Sequence, residues 1–312
     1  MPRNKSFFRL LGAFLVSGIS VFAAVELDLS RLQVQPHHIG KGGVPVDGIP
    51  SIDSPNFWSV EQAEKFLFGG DLVLSVPEGK SARAYPIRIL TWHEVVNDEV
   101  EGTGIVVTYC PLCASGMVFV RDFEGAEEGR LEFGVSGLLY HSDMVLYDRE
   151  SMGLWSQLSR KAISGRFAGQ ELEWVPSAQM TWKAWKNKYP DGRVLSTDTG
   201  YDRPYTQSPY VGYDRSPMPM FKVPTARNDL PMKARVVGMV VHGEARAFSA
   251  AGLRTGSFSD QIAGETIRIT YQRGDRHFTA TDSDGNLIPV VWSYWFAWQA
   301  FYPETELVKK LR

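Results

Sequence analysis

The chain has 312 residues, 33 Lys and Arg against 35 Asp and Glu for a net charge of −2, 12% aromatic residues and two cysteines. That length is enough for one large core or two modules. The nearly balanced, well-mixed charge excludes a nucleic-acid-binding stripe and an acidic disordered tail.

In chain order, the first element reads as a leader. Arg3, Lys5 and Arg9 precede an uncharged apolar run, LLGAFLVSGISVFAA, over 10–24, shorter than the roughly 20 residues a bilayer span needs. Val21-Phe22-Ala23 fits the small-x-small rule for cleavage, and Glu26 and Asp28 follow at once. The expectation is a signal peptide over 1–24, with an uncleaved anchor as the alternative. The folded part then lies in the periplasm or outside the cell, with no integral membrane segment after cleavage. Residues 25–47 read as a linker.

Period-two apolar runs predict strands over 72–76, 105–109, 117–120, 130–135, 144–147, 236–241 and 267–271. Helical patterns cover 60–67, after the N-cap candidate Ser59, and 87–96, after Pro86. Two more, over 178–189 and 292–301, end at Tyr-Pro pairs. Residues 203–231 hold six prolines and read as an extended connection, with Met218 and Met220 as ordinary loop residues. The fold class is α+β, β-rich, with module 1 over 48–202 and module 2 over 232–312.

The two modules read as a weak repeat. DEVEGTGIVVTY (98–109) and DQIAGETIRITY (260–271) share D-x-x-x-G-x-x-I-x-[VI]-T-Y. ARAYPI (82–87) matches ARAFSA (245–250), and MTWKAWKNKYPDGRVL (180–195) matches SYWFAWQAFYPETELV (293–308). A period this long implies two domain-sized copies. The copies differ where chemistry would sit: Cys110-Pro111-Leu112-Cys113 in the first is Gln272-Arg273-Gly274-Asp275 in the second. His93 also lacks a counterpart, and a long insertion after 120 belongs to module 1 alone.

Three readings of the Cys-x-x-Cys stay open. A disulfide staple closing so short a loop contributes only about 2 kcal/mol; it would leave a non-catalytic binding protein. Thiol–disulfide exchange usually places the first cysteine at a helix N-terminus, yet strand-like residues follow Cys113. The leading reading is a soft metal site, copper or zinc, on Cys110 and Cys113. His93 and His141 are its candidate further ligands, with Met117 and Met144 behind them; His37, His38, His242 and His277 lack such support. Asp143 would orient the His141 imidazole, and Asp148 and Arg149 would pair at a strand end. No nucleotide cofactor is implied, and the residues name no reaction.

The motifs ARAYPIRILTWHEVVND, VTYCPLCASGMVF, FGVSGLL, SDMVLYDRESMGLWSQ and YPDGRVLS together resemble a bacterial and archaeal family of exported or membrane-associated proteins known only as a domain of unknown function, from about Gly48 onward. The resemblance implies His93, Cys110, Cys113, Ser142, Asp143, Asp148, Arg149, Trp155 and Gln157 as its hallmark set. Two departures stand out. Ala114 replaces the family's glycine, where a tight knuckle would want φ > 0, and His141 stands where the family often has asparagine.

Overall fold

A computed structural model of the protein describes residues 25–76, 81–223 and 227–310. The leader expected over 1–24 lies outside the described residues. Strand (40%) exceeds helix (13%), so the chain is β-rich, and the strands form five sheets. Among the described residues no helix is long and apolar enough to cross a membrane.

The first frame sheet runs in the order Ala178–Thr181, Leu72–Val76, Arg83–Pro86, Arg193–Leu195, Phe57–Ser59. The cysteine sheet beside it runs Trp174–Val175, Ser115–Val120, Thr103–Cys110, Val95–Val100. A second frame sheet has the order Val290–Tyr294, Arg235–Val241, Glu244–Ser249, Glu306–Val308. Its companion runs Gly256–Ile262, Glu265–Gln272, His277–Thr281, Leu287–Ile288. In both frame sheets the short strand after the Trp-rich helix joins in parallel, Arg193–Leu195 beside Arg83–Pro86 and Glu306–Val308 beside Glu244–Ser249. The fifth, insert sheet pairs Ile39–Lys41, Phe133–Tyr140, Asp143–Asp148 and Leu154–Ser156, all antiparallel.

Among the described residues four α-helices punctuate the sheets, and each is shorter than its apolar pattern suggests. Helix α1, Val60–Ala63, opens on a capping box between Ser59 and Gln62, which satisfies two orphan donors at its N-terminus. Helix α2 covers Ile87–His93 and stops at Glu94, which takes the left-handed conformation at φ 60°. The strand Val95–Val100 then begins, so the helix expected to reach 96 yields its end to sheet pairing. Helices α3 (Trp182–Lys188) and α4 (Trp295–Phe301) each follow a strand, Ala178–Thr181 and Val290–Tyr294. The helices expected over 178–189 and 292–301 are therefore strand-to-helix junctions; β-branched and aromatic residues extend the strand half at Val290–Tyr294, and antiparallel pairing with Leu72–Val76 extends it at Ala178–Thr181. The strand expected over 130–135 lies instead at Phe133–Tyr140.

Both Trp pairs anchor their helices on the frame sheets. Trp182, Trp185, Trp295 and Trp298 are fully buried, and truncating such a residue to Ala costs about 3–5 kcal/mol. Trp185 Nε1 donates to Ser75 Oγ at 2.9 Å, and Trp298 Nε1 donates to Thr305 Oγ1 at 3.0 Å. A Cβ at Gly238 would stand 2.4 Å from the Trp298 ring, so only glycine fits there. The largest core joins the cysteine sheet, the insert sheet and α4 through Cys110, Cys113, Phe133, Trp155, Tyr294 and Trp298.

The segment 203–231 contributes no strand among its described residues, only turns and a 3-10 turn at Tyr213–Arg215. Met218 and Met220 are exposed rather than packed.

Candidate functional site

Strands Thr103–Cys110 and Ser115–Val120 pair in the register Tyr109 to Gly116 and Cys110 to Ser115. That register leaves Pro111, Leu112, Cys113 and Ala114 as a four-residue loop. Ala114 closes it at φ 52°, the left-handed region that favours glycine. The loop is held from outside through its carbonyls. Tyr213 Oη donates to Leu112 O at 2.8 Å, Tyr294 N to Cys113 O at 2.8 Å, and Arg235 Nη1 to Ala114 O at 3.3 Å. Residues after 203 thus fix the knuckle, although the sulfurs belong to module 1.

Both cysteines are buried, with their sulfurs 3.5 Å apart. A carboxylate joins them: Cys110, Cys113 and Asp143 bring their ligand atoms within 4.8 Å of one another. Asp143 reaches this place from a two-residue hairpin turn. Tyr140 pairs with Asp143, and His141 and Ser142 between them sit at φ 52° and 67°, the pattern of a type I′ turn. Asparagine, which the resembled family carries at 141, suits that backbone for conformational reasons alone. Asp143 Oδ2 accepts from Leu158 N at 3.0 Å, whereas the buried Oδ1 has no N–H or O–H partner. Ser142 joins the site through its backbone, its carbonyl accepting from Cys113 Sγ at 3.3 Å.

A fourth acidic group stands beside the cluster. Glu94, displaced from the helical direction by its positive φ, lines a small cavity of about 30 Å³ together with Cys110, Leu112, Met144 and Tyr210, room for roughly one or two waters. Tyr210 Oη donates to Glu94 Oε1 at 3.1 Å. Burial raises the Glu94 carboxyl to about 8, with the Asp143 charge adding to the shift. Burial likewise raises Asp143 to about 7 against the pull of the Leu158 N–H. Both thiols are pushed up by burial, Cys113 more than Cys110. Among the described residues no cationic side chain pairs with any of the four. Four proton-binding groups therefore share a buried volume without a counter-charge.

The expected ligand His93 is elsewhere. Its Nδ1 donates to Pro50 O at 2.8 Å and its Nε2 accepts from Tyr205 Oη at 2.6 Å, a hydroxyl that also bonds Thr199 Oγ1 at 2.6 Å. With both nitrogens spent, the ring is a buried cross-link, and its neighbour Glu94 faces the cysteines instead. His141 also stays outside the sulfur cluster. Its ring lies 4.8 Å from that of His38, at a surface pocket; burial lowers its pKa to about 4. Asp143, bonded to Leu158 N, does not orient it. Met117 is buried in the core, while Met144 lines the Glu94 cavity.

The remaining hallmark residues assemble the walls. Gln157 Oε1 accepts from Ser115 Oγ and Gln157 Nε2 donates to Thr108 Oγ1, each at 2.8 Å, so this one side chain ties both strands of the cysteine hairpin to the insert. Asp148 and Arg149 do not pair with each other, because successive strand side chains point to opposite faces. Asp148 accepts from Trp155 Nε1 at 2.9 Å and from Ser151. Arg149 binds Asp47, Asp53 and Glu132 on the other face.

Sequence reasoning missed Glu94 and Tyr210 and gave Asp143 a secondary role. The available signal was the acidic residue in WHEVVND beside the histidine that drew attention; Tyr210, in a proline-rich segment, carried none.

No curated protein and no solved structure matches the chain. A family model described as protein of unknown function (DUF3179) matches residues 46–287. The chain belongs to that family.

Proposed function

We propose that Cys110, Cys113 and Asp143 bind one metal ion. The observation that carries this reading is the buried Asp143 Oδ1, which lacks any N–H or O–H donor and lies with both sulfurs inside a 4.8 Å cluster. A buried carboxylate with one oxygen held by Leu158 N and the other facing only the two sulfurs lacks a counter-charge, which is costly, and a cation supplies it. Two thiolates and one carboxylate form a mixed soft and hard donor set. Zinc accepts that mixture, with a fourth position open to water or another group. Copper(I) prefers sulfur and imidazole, so zinc is favoured over copper. The open position would face the small cavity that Glu94 and Tyr210 line.

Thiol–disulfide exchange is the second reading, favoured by the same carboxylate, which sits where a base could take a thiol proton. Against it, both thiols are raised by burial, whereas reactive cysteines are lowered. The further parts of the proposal are an exported, periplasmic or secreted location and an origin of the two modules in duplication. The matching strand orders of the two frame sheets and of their companions support the duplication.

The test is metal analysis of the purified full chain with thiol counting. The metal reading predicts one zinc held by two protected thiols, lost in Cys110→Ser and Cys113→Ser and held more weakly in Asp143→Asn. Chain that binds no zinc at the thiols, and whose two thiols cycle reversibly with a disulfide, would replace this reading with the redox one.

A further inference from the structure

The thiol cluster has an outer neighbour built from histidines. The 3-10 turn Pro36–His38 leads into the strand Ile39–Lys41, which pairs antiparallel with Phe133–Tyr140 in the register Ile39 to Tyr140. The residues just beyond that last pair are His38 on one strand and His141 on the other, so the register itself sets the two imidazoles against each other. Their ring centroids lie 4.8 Å apart, and His37 stacks edge-on to His38 at 4.2 Å. All three line one surface pocket of about 440 Å³, with Gly40, Lys41, Leu139, Ser142, Phe221 and Lys222 completing its wall. His141 Nδ1 is buried without a hydrogen-bond partner.

From this juxtaposition we infer that His37, His38 and His141 form a second metal site, for a borderline divalent cation such as Zn²⁺ or Cu²⁺. Imidazole is the preferred protein donor for such ions, at about 2.0–2.1 Å from nitrogen to metal. His38 stands between the other two, 4.2 Å from His37 and 4.8 Å from His141 by ring centroid, so His38 and His141 can meet at one ion and His37 joins them by turning its side chain. A free imidazole nitrogen next to two others also has no better use in the pocket, because no carboxylate lines it. The pocket and the thiols share a wall. Ser142, on the pocket side, accepts from Cys113 through its carbonyl, and Leu139 lines both the pocket and the small cavity beside Cys110. The hairpin turn His141-Ser142-Asp143 thus presents an imidazole outward and a carboxylate inward, so an ion bound outside lies one turn of chain from the buried donors. The histidine site stands on its own residues and does not require the thiols to bind metal.

The experiment is a Zn²⁺ titration of the purified full chain, read by calorimetry, with Cu²⁺ electron paramagnetic resonance as a second probe. Three proteins are compared: wild type, His37→Ala/His38→Ala/His141→Asn, and Cys110→Ser/Cys113→Ser. Asparagine at 141 keeps a residue suited to the left-handed turn, so folding is preserved and can be checked by thermal melting. The histidine variant is expected to lose one equivalent relative to wild type, while the cysteine variant retains a Cu²⁺ signal with nitrogen splitting from imidazole. One equivalent in wild type that survives in the cysteine variant and vanishes in the histidine variant also supports the histidine site, and refutes the thiol site alone. An unchanged titration in the histidine variant, or no nitrogen splitting in the cysteine variant, overturns the inference.

Discussion

The hairpin that carries the cysteines and the hairpin at 265–281 have the same frame and opposite surroundings. Cys110 pairs with Ser115 across a four-residue loop, and Gln272 pairs with His277 across another. The last loop residue is left-handed in both, Ala114 at φ 52° and Arg276 at φ 51°. Upstream, Arg83 meets Asp98 and Arg246 meets Asp260. The difference lies in what covers the sheets. Glu265–Gln272 alternates, with Ile267, Ile269 and Tyr271 inward and its other side at least partly solvated. Thr103–Cys110 is buried at every residue after Thr103, because the insert lies on its second face. A knuckle of this shape is thus not itself a site. It becomes one when an added layer takes it out of water and brings Asp143 to it.

The ion pairs offer the largest test of that contrast. Asp98 is 6% exposed and Asp260 25%, so removing each arginine leaves a carboxylate without its counter-charge in a different solvent, although Asp98 keeps the Tyr85 hydroxyl and Asp260 the Gln261 N–H. Arg83→Met should destabilise the chain by about 3–5 kcal/mol, and Arg246→Met by about 1 kcal/mol because Asp260 regains water. Urea unfolding of the two variants checks this, and equal losses would show that Asp98, packed against Tyr85 of the frame sheet, is no harder to leave without its arginine than Asp260.

Asp143→Asn acts on the site alone. Zinc affinity should fall by at least about 10–100-fold, the range lost even when only an outer partner of a ligand is removed. The same variant should change the pH profile of metal-free protein. Asp143 is raised to about 7 and Glu94 to about 8, so the folded state holds these protons more tightly than the unfolded chain does. Their contribution is fully present below about pH 4 and is lost as pH rises through about 7 to 8. Melting temperature of the metal-free wild type should fall across that window, and Asp143→Asn should flatten it. A wild-type profile rising over the same window would contradict the burial of these carboxyls.

Gln157 ties the insert to the cysteine hairpin, and its loss should matter only where the two meet. Gln157→Ala leaves the buried Ser115 hydroxyl without its acceptor, while Thr108 keeps its bond to Met117 O, and should cost about 1–3 kcal/mol; hydrogen exchange would show faster opening at 105–120 and none at 265–281. The smallest effect concerns the feature both hairpins share. Ala114→Gly and Arg276→Gly should each stabilise by up to about 1 kcal/mol, by removing a side chain from a left-handed residue. Thermal melting checks this, and a loss at 114 alone would mean that the Ala114 side chain packs usefully in the core.

Much of the frame was legible because its signals are local. Alternation gave Leu72–Val76 and Glu265–Gln272, and the Cys-x-x-Cys followed by strand-like residues correctly argued against a helix behind the cysteines. The strand-to-helix junctions at 181 and 294 are hidden from pattern reading because each strand half is only four or five residues long and runs into its helix without a turn signal. The site was only half legible. Cys110 and Cys113 announce themselves by spacing, but Asp143 comes from 30 residues later through a type I′ turn, and Glu94 is aimed by a single positive φ. His93 drew attention as a histidine near the cysteines and missing from module 2, yet a hydrogen-bonded core ring gives the same pattern.

The central claim is that sulfur and carboxylate share one ion in module 1. Zinc-edge X-ray absorption on chain carrying His37→Ala and His38→Ala, so that the thiol site is filled preferentially, tests it most directly. The account predicts two sulfur neighbours at about 2.3 Å and oxygen at about 2.0–2.2 Å, with the oxygen shell reduced in Asp143→Asn. A spectrum fitted by nitrogen and oxygen alone, with both thiols still free to react, would contradict it.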